Sequence, residues 1–150
     1  MKYEVETLGS CLKEMKPLIL KHWQEVSWYK DKIPYSPDWD KYYAMEDAGM
    51  LHIVTARDEG KLVGYYVSVV NSGLHYSETK FAMCDALFVD PDYRGGTTAY
   101  KMFKFAFSEL KELGVQCISL HMKTDFPFDK LCEKLGMQKQ EYLYSIYVGD

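Results

Sequence analysis

The chain has 150 residues, of which 47% are hydrophobic and 27% charged, with a formal net charge of -4 and a pI near 5.6. This balance is typical of one globular domain, here predicted to cover residues 1–150, and it disfavours disorder. An acidic chain argues against binding to nucleic acid, because phosphate backbones are normally bound by clustered basic residues.

Targeting and metal-binding signals are missing from the sequence. Residues 1–6 contain no apolar signal segment, and no later run approaches the roughly 20 apolar residues of a membrane span, so we expect a cytoplasmic protein without membrane contact. The cysteines are widely spaced, with no Cys-x-x-Cys pair, and we therefore expect reduced thiols and no metal site.

The first third of the chain predicts one strand and two helices. Residues 2–8 alternate weakly and indicate a strand, and Ser10 is the predicted N-cap of an amphipathic helix that Pro17 is expected to kink or to begin. Pro37 predicts a short second helix that ends at Gly49. Aromatic residues are frequent between these helices, and they either fill the core beneath a long connection or line a substrate pocket.

The middle of the chain predicts a meander of strands. Residues 51–57 and 62–70 are rich in β-formers and are separated by a hairpin signal. Residues 71–80 are polar and predict a loop. Residues 81–89 form a nearly uninterrupted apolar run, as expected for a strand that is buried on both faces.

A strand–helix–strand crossover follows. Residues 99–113 repeat apolar side chains at helical spacing, Gly114 is the predicted C-cap, and residues 115–122 predict a strand parallel to residues 81–89. Asp125 is expected to cap a last helix, and residues 141–148 predict a final, tyrosine-rich strand.

This order of elements indicates an α/β fold. We predict a mixed, mostly antiparallel sheet of about six to seven strands with about four helices, in which only the crossover strands are parallel.

The stretch between the central strand and its helix predicts an anion site. A strand that runs through glycines into a helix leaves several backbone N–H groups unpaired, and these favour a pyrophosphate. The residues of this stretch are Arg94, Gly95, Gly96, Thr97, Thr98 and Ala99.

The motif Leu-Phe-Val-Asp-Pro-Asp-Tyr-Arg-Gly-Gly-Thr-Thr-Ala at residues 87–99 resembles the strand and pyrophosphate loop of the GNAT superfamily of acetyl-CoA-dependent N-acetyltransferases. The helix end Leu-Cys-Glu-Lys-Leu-Gly-Met at residues 131–137 and the order of elements are also similar to that family, so the resemblance covers most of the chain. It implies a GNAT fold in which the strands at residues 81–89 and 115–122 splay apart. The pantetheine arm of acetyl-CoA then binds along Leu87, Phe88 and Val89.

The resemblance also implies how the rest of acetyl-CoA is bound. The pyrophosphate is expected on the amides of Gly95, Gly96, Thr97, Thr98 and Ala99, with Arg94 alongside. Asp125 stands where family members often have an asparagine near the cofactor. Thr97 replaces the usual middle glycine, and Cys132 replaces the tyrosine that commonly protonates the departing thiolate.

Acetylation of an amine requires a proton acceptor, because a lysine-like amine near pKa 10.4 is almost wholly protonated at neutral pH. Asp85 is the candidate general base, since it is the only charged residue within residues 81–89 and burial favours proton uptake by a carboxylate. A structural acid, satisfied by a neighbouring donor, is the alternative interpretation.

The candidates for general acid are Cys132, Tyr142 and Tyr144, with His121 as a less favoured proton relay; packing in the core is the alternative role for Cys132.

The leading hypothesis is an enzyme that transfers the acetyl group of acetyl-CoA to an amine of a small molecule or protein by direct attack in a ternary complex. The alternative is a non-catalytic module of the same fold that binds CoA or a partner protein. The short form also resembles stand-alone GNAT proteins of phages, and the family resemblance allows a homodimer formed through exposed final strands.

Overall fold

Five strands form one mixed sheet in the computed structural model, which describes residues 1–149. The sheet follows chain order, with β1 (Lys2–Val5), β2 (Leu51–Asp58), β3 (Lys61–Gly73), β4 (Tyr76–Val89) and β5 (Cys117–Ser119). Neighbouring strands are antiparallel except β4 and β5, which are parallel. The predicted α/β class and the single parallel pair are confirmed, whereas the predicted six to seven strands are too many.

Within residues 1–149 the α-helices are α1 (Leu8–Val26), α2 (Trp39–Asp47), α3 (Thr98–Glu112) and α4 (Asp129–Lys134). A single 3-10 turn, Pro91–Tyr93, connects β4 to α3. None of these helices is long and apolar enough to cross a lipid bilayer.

The sheet carries one hydrophobic cluster on each face. The α1 face buries Leu8, Met15, Tyr65 and Phe88 against one another, and the α3 face buries Val54, Tyr66, Met102, Phe103 and Leu110. Because burying a large apolar side chain contributes about 1.5–3 kcal/mol, the two clusters fix both helices on the sheet. Residues of β4 therefore lie between α1 and α3.

The start of α1 differs from the prediction. Thr7 is the N-cap, and its Oγ1 accepts a hydrogen bond from the Ser10 amide at 3.3 Å. Ser10 therefore lies inside the first turn, because a helix that begins at Leu8 can bury that leucine in the core. Pro17 lies within the helix, which continues on both sides of it.

The β2–β3 hairpin is confirmed, with Glu59 and Gly60 in its turn at φ values of 49° and 86°. The predicted loop at residues 71–80 is wrong, because β3 and β4 continue through most of it as a two-stranded ribbon with an exposed tip. Its polar side chains face solvent, so the apolar pattern of the sequence ends there although the strands continue.

The C-terminal part departs furthest from expectation. β5 has three residues rather than the eight predicted, and α4 begins at Asp129 after Phe128, so Asp125 does not cap it. Residues 141–148 form no strand. Most of their side chains are exposed, so high β-propensity alone does not form a strand here.

Candidate active site

A bulge in β4 marks the centre of the site. Val67 pairs with Ala86 and Ser68 with Cys84, which leaves Asp85 as the extra residue. On the opposite side, pairing between β4 and β5 ends at Met83. Residues 84–89 of β4 therefore have no strand partner on the β5 side in the described part of the chain, as the predicted splay requires.

The N-terminus of α3 lies just beyond this free edge. Gly95 has a φ of 85°, a conformation that strongly favours glycine, and it turns the chain into the helix. Thr97 is the N-cap, but its side chain makes no capping hydrogen bond. A Cβ atom built on Gly95 or Gly96 meets nothing within 4 Å. The first-turn amides are thus open to an anion.

Two side chains of this stretch are already engaged elsewhere. The Arg94 guanidinium lies over the Phe88 ring, donates to Glu25 of α1 at 2.8 and 2.9 Å, and donates through Nε to the Val89 carbonyl. The Thr98 hydroxyl is hydrogen-bonded to Tyr3. Arg94 therefore ties the end of β4 to α1.

Asp85 is placed differently from the prediction. Its side chain is exposed, as is that of Met83 two residues earlier, rather than enclosed by apolar neighbours. The Tyr42 hydroxyl of α2 donates to Asp85 Oδ2 at 2.7 Å. Burial, reinforced by this bond, raises the pKa of Tyr42, so the tyrosine remains a donor.

A second polar pair was missed by sequence reasoning. His22 Nδ1 and the Tyr65 hydroxyl are 2.8 Å apart, and the imidazole stacks on Phe88 with ring centroids 5.2 Å apart. Burial lowers the pKa of His22 below its ordinary value. The signal that could have found it is a histidine at a helical spacing from apolar residues of the first helix.

A cavity of about 780 Å³ opens beside Asp85. Its walls come from α1, the segment after it, α2, the sheet and residues 145–149. The aromatic lining residues are His22, Trp23, Trp28, Tyr29, Tyr35, Trp39, Tyr42, Tyr65 and Tyr147. We call this space the aromatic cavity. Of the two interpretations left open for the aromatic segment, the structure favours a pocket.

The remaining candidates lie outside the aromatic cavity. Cys132 is half-buried on α4, and burial raises the pKa of its thiol. Tyr142 and Tyr144 are 79% and 89% exposed. His121 and Asp125 are also exposed. The structure thus brings Asp85 to the aromatic cavity and leaves the proposed acids apart from it.

Comparison with known proteins identifies the class. The sequence model of the Acetyltransferase (GNAT) family matches residues 17–137. The chain therefore belongs to the GNAT family and is an acyltransferase that catalyses acetyl transfer. No curated protein sequence matches it.

Solved structures share the fold at low sequence identity. A ribosomal-protein-alanine N-acetyltransferase from Brucella melitensis biovar Abortus 2308 is 19% identical, with a TM-score of 0.71 over 98% of this chain and 99% of the other. Glucosamine-6-phosphate N-acetyltransferase from Arabidopsis thaliana is 16% identical, with a TM-score of 0.74 over 99% and 100%. An aminoglycoside acetyltransferase from an uncultured soil metagenomic sample is 15% identical, with a TM-score of 0.76 over 99% and 100%.

Proposed function

We propose that this protein transfers the acetyl group of acetyl-CoA to a primary amine in one step, with both substrates bound at once. The observation that carries the proposal is the free edge of β4 at residues 84–89, which separates the aromatic cavity from the open N-terminus of α3. One substrate can bind on each side of this edge.

The cofactor side fits acetyl-CoA through backbone groups. Leu87, Phe88 and Val89 offer the edge for the pantetheine arm, and the amides from Gly95 to Ala99 offer donors and a helix dipole for the pyrophosphate. Arg94 is partly neutralised by Glu25, so the amides carry most of the anion binding in this proposal. Asp125 stays a proposed cofactor contact.

Asp85 is the proposed proton acceptor. Acetyl-CoA supplies the acetyl group as a thioester, and a C–N bond forms as the C–S bond breaks. The proton lost from nitrogen passes to Asp85, directly or through one water, while Tyr42 holds Oδ2 in place. A base is needed because deprotonating a lysine-like amine at neutral pH costs about 4–5 kcal/mol.

Cys132 is the proposed donor to the departing CoA thiolate. Its raised pKa keeps the thiol protonated at neutral pH, and it occupies the helix position where the family commonly has a tyrosine. Tyr142 and Tyr144 are weaker candidates, because both are largely exposed, whereas Cys132 is half-buried.

Thiol release in the presence of acetyl-CoA and a panel of primary amines tests the proposal. We expect acetyl-CoA to bind, and CoA thiol to appear only when an accepted amine is present. Calorimetry that detects no acetyl-CoA binding would contradict it. Binding without thiol release from any amine would instead support a non-catalytic CoA-binding module.

A further inference from the structure

The charged groups of the aromatic cavity are few. Asp85 is the only carboxylate among its lining residues within the described part of the chain. Lys123 is the lysine among these lining residues, and its Nζ lies 5.6 Å from the centroid of the Trp28 ring. Burial disfavours the charged form of His22. The cavity thus presents one anionic group within a largely apolar wall.

The position of that anionic group orients an acceptor. Asp85 lies at the bulge, where the aromatic cavity meets the free edge of β4. An acceptor nitrogen must reach this edge to meet an acetyl group carried along it. The ammonium end of an acceptor is therefore expected at Asp85, and the rest of the molecule is expected among the aromatic rings.

Aromatic rings in the wall of the aromatic cavity pack against one another in pairs. Trp23 packs against Tyr35 with centroids 5.8 Å apart, and Trp39 packs against Tyr42 at 5.6 Å. Such faces favour apolar bodies and cationic groups. The volume of about 780 Å³ lies within the range of pockets for small ligands.

We propose, on the basis of the acetyl-transfer function above, that the acceptor is a small primary amine with one ammonium group on a short chain and an apolar, preferably aromatic, body. A polyamine needs several carboxylates, and a phosphorylated amino sugar needs a cluster of cations. Within residues 1–149 the lining has one carboxylate, Asp85, and one ammonium group, Lys123.

Tryptophan fluorescence tests this proposal directly, because all three tryptophans of the chain line the aromatic cavity. The probes are 2-phenylethylamine, its uncharged analogue 2-phenylethanol, spermidine and glucosamine 6-phosphate, at one ionic strength. We expect 2-phenylethylamine to bind at least about tenfold more tightly than each of the others, since it alone combines charge and apolar body. A comparable affinity for any of the other three would overturn the proposal.

A matched pair of tyrosine variants locates the binding. Tyr35 lines the aromatic cavity, whereas Tyr43 on α2 does not and is 38% exposed. We expect Tyr35→Ala to weaken 2-phenylethylamine binding about fivefold and Tyr43→Ala to leave it unchanged, with circular dichroism showing that both variants are folded. Equal effects of the two substitutions would place the amine elsewhere and contradict the proposal.

Thiol release separates a failure of this proposal from a failure of the acetyl-transfer function. Turnover of spermidine or glucosamine 6-phosphate, but not of 2-phenylethylamine, would overturn the substrate class and leave acetyl transfer standing. Selective binding of 2-phenylethylamine without turnover of any amine would support the substrate class as a binding preference and contradict acetyl transfer.

Discussion

The two sides of the candidate site are built from different groups. The proposed cofactor side consists of backbone, namely the edge of β4 at residues 84–89 and the first-turn amides of α3. The proposed acceptor side consists of side chains from segments far apart in the chain. Backbone donors are the same for almost every residue, whereas a side-chain wall changes with each substitution. The cofactor side can therefore persist while the acceptor side diverges.

Thr97 illustrates how a backbone site tolerates substitution. Its φ of -100° is available to any residue, so the absence of a glycine there creates no strain. Gly95, at a φ of 85°, is the position where glycine is needed. The departure from the family motif at Thr97 thus leaves the proposed anion site intact.

The largest expected effect lies where the two sides meet. Asp85→Asn removes the proposed base, and we expect the rate of thiol release to fall about 10²- to 10⁴-fold. The affinity for acetyl-CoA should not change, because Asp85 is not part of the proposed cofactor contacts. Steady-state kinetics across pH, together with calorimetric titration of acetyl-CoA, measure both quantities.

Tyr42→Phe is the control for this prediction. It keeps the carboxylate but removes the hydroxyl that donates to Oδ2, so we expect a loss of less than about tenfold. A rate that Asp85→Asn leaves unaltered at every pH would show that Asp85 is a structural acid.

The difference between backbone and side-chain sites also explains what the sequence could predict. The α3 loop was predictable, because a glycine turn after a strand and before a helix exposes amides wherever it occurs. The aromatic cavity could be predicted only as one of two interpretations, because Trp23, Tyr42 and Tyr65 meet only after α1 and α2 have packed on the sheet. The bulge at Asp85 is set by the pairing of β3 with β4, which strand alternation alone does not reveal.

A second prediction tests the backbone side alone. Gly96→Val places a branched side chain where a Cβ meets nothing, so the fold should tolerate it while the side chain obstructs the open amides. We expect acetyl-CoA to bind about ten- to a hundredfold more weakly, as for the loss of hydrogen bonds to a charged group. Calorimetry measures the change.

Gly9→Val is the matched control, because a Cβ on Gly9 in α1 also meets nothing within 4 Å. It should leave the affinity for acetyl-CoA unchanged. An unaltered affinity in Gly96→Val would mean that the pyrophosphate binds away from this loop.

A third, smaller effect concerns the ion pair between Arg94, next to the proposed cofactor side, and Glu25 of α1. Glu25→Gln releases Arg94 from its double hydrogen bond, which leaves the guanidinium free to face an anion. We expect acetyl-CoA to bind up to about fivefold more tightly, since a partly exposed ion pair contributes less than about 1 kcal/mol. Weaker binding in Glu25→Gln would indicate that Arg94 serves the cofactor only while it is held by Glu25.

The smallest expected effect is a pH dependence of stability on the acceptor side. Burial lowers the pKa of His22 in the folded protein, so below about pH 6.5 the unfolded chain takes up a proton that the folded chain does not. The contribution of neutral His22 to the free energy of unfolding is therefore fully present above about pH 6.5. It is lost as the pH falls towards the lowered pKa. Buried His52 acts in the same direction. Urea unfolding at about pH 7.5 and 5.5 should show a smaller loss of unfolding free energy for His22→Gln than for the unsubstituted protein. The pH slope should fall by at most about 1.4 kcal/mol per pH unit, which corresponds to one proton per molecule. Equal losses would show that His22 takes up its proton in the folded state as readily as in the unfolded chain, and the acceptor wall would then admit a second positive charge.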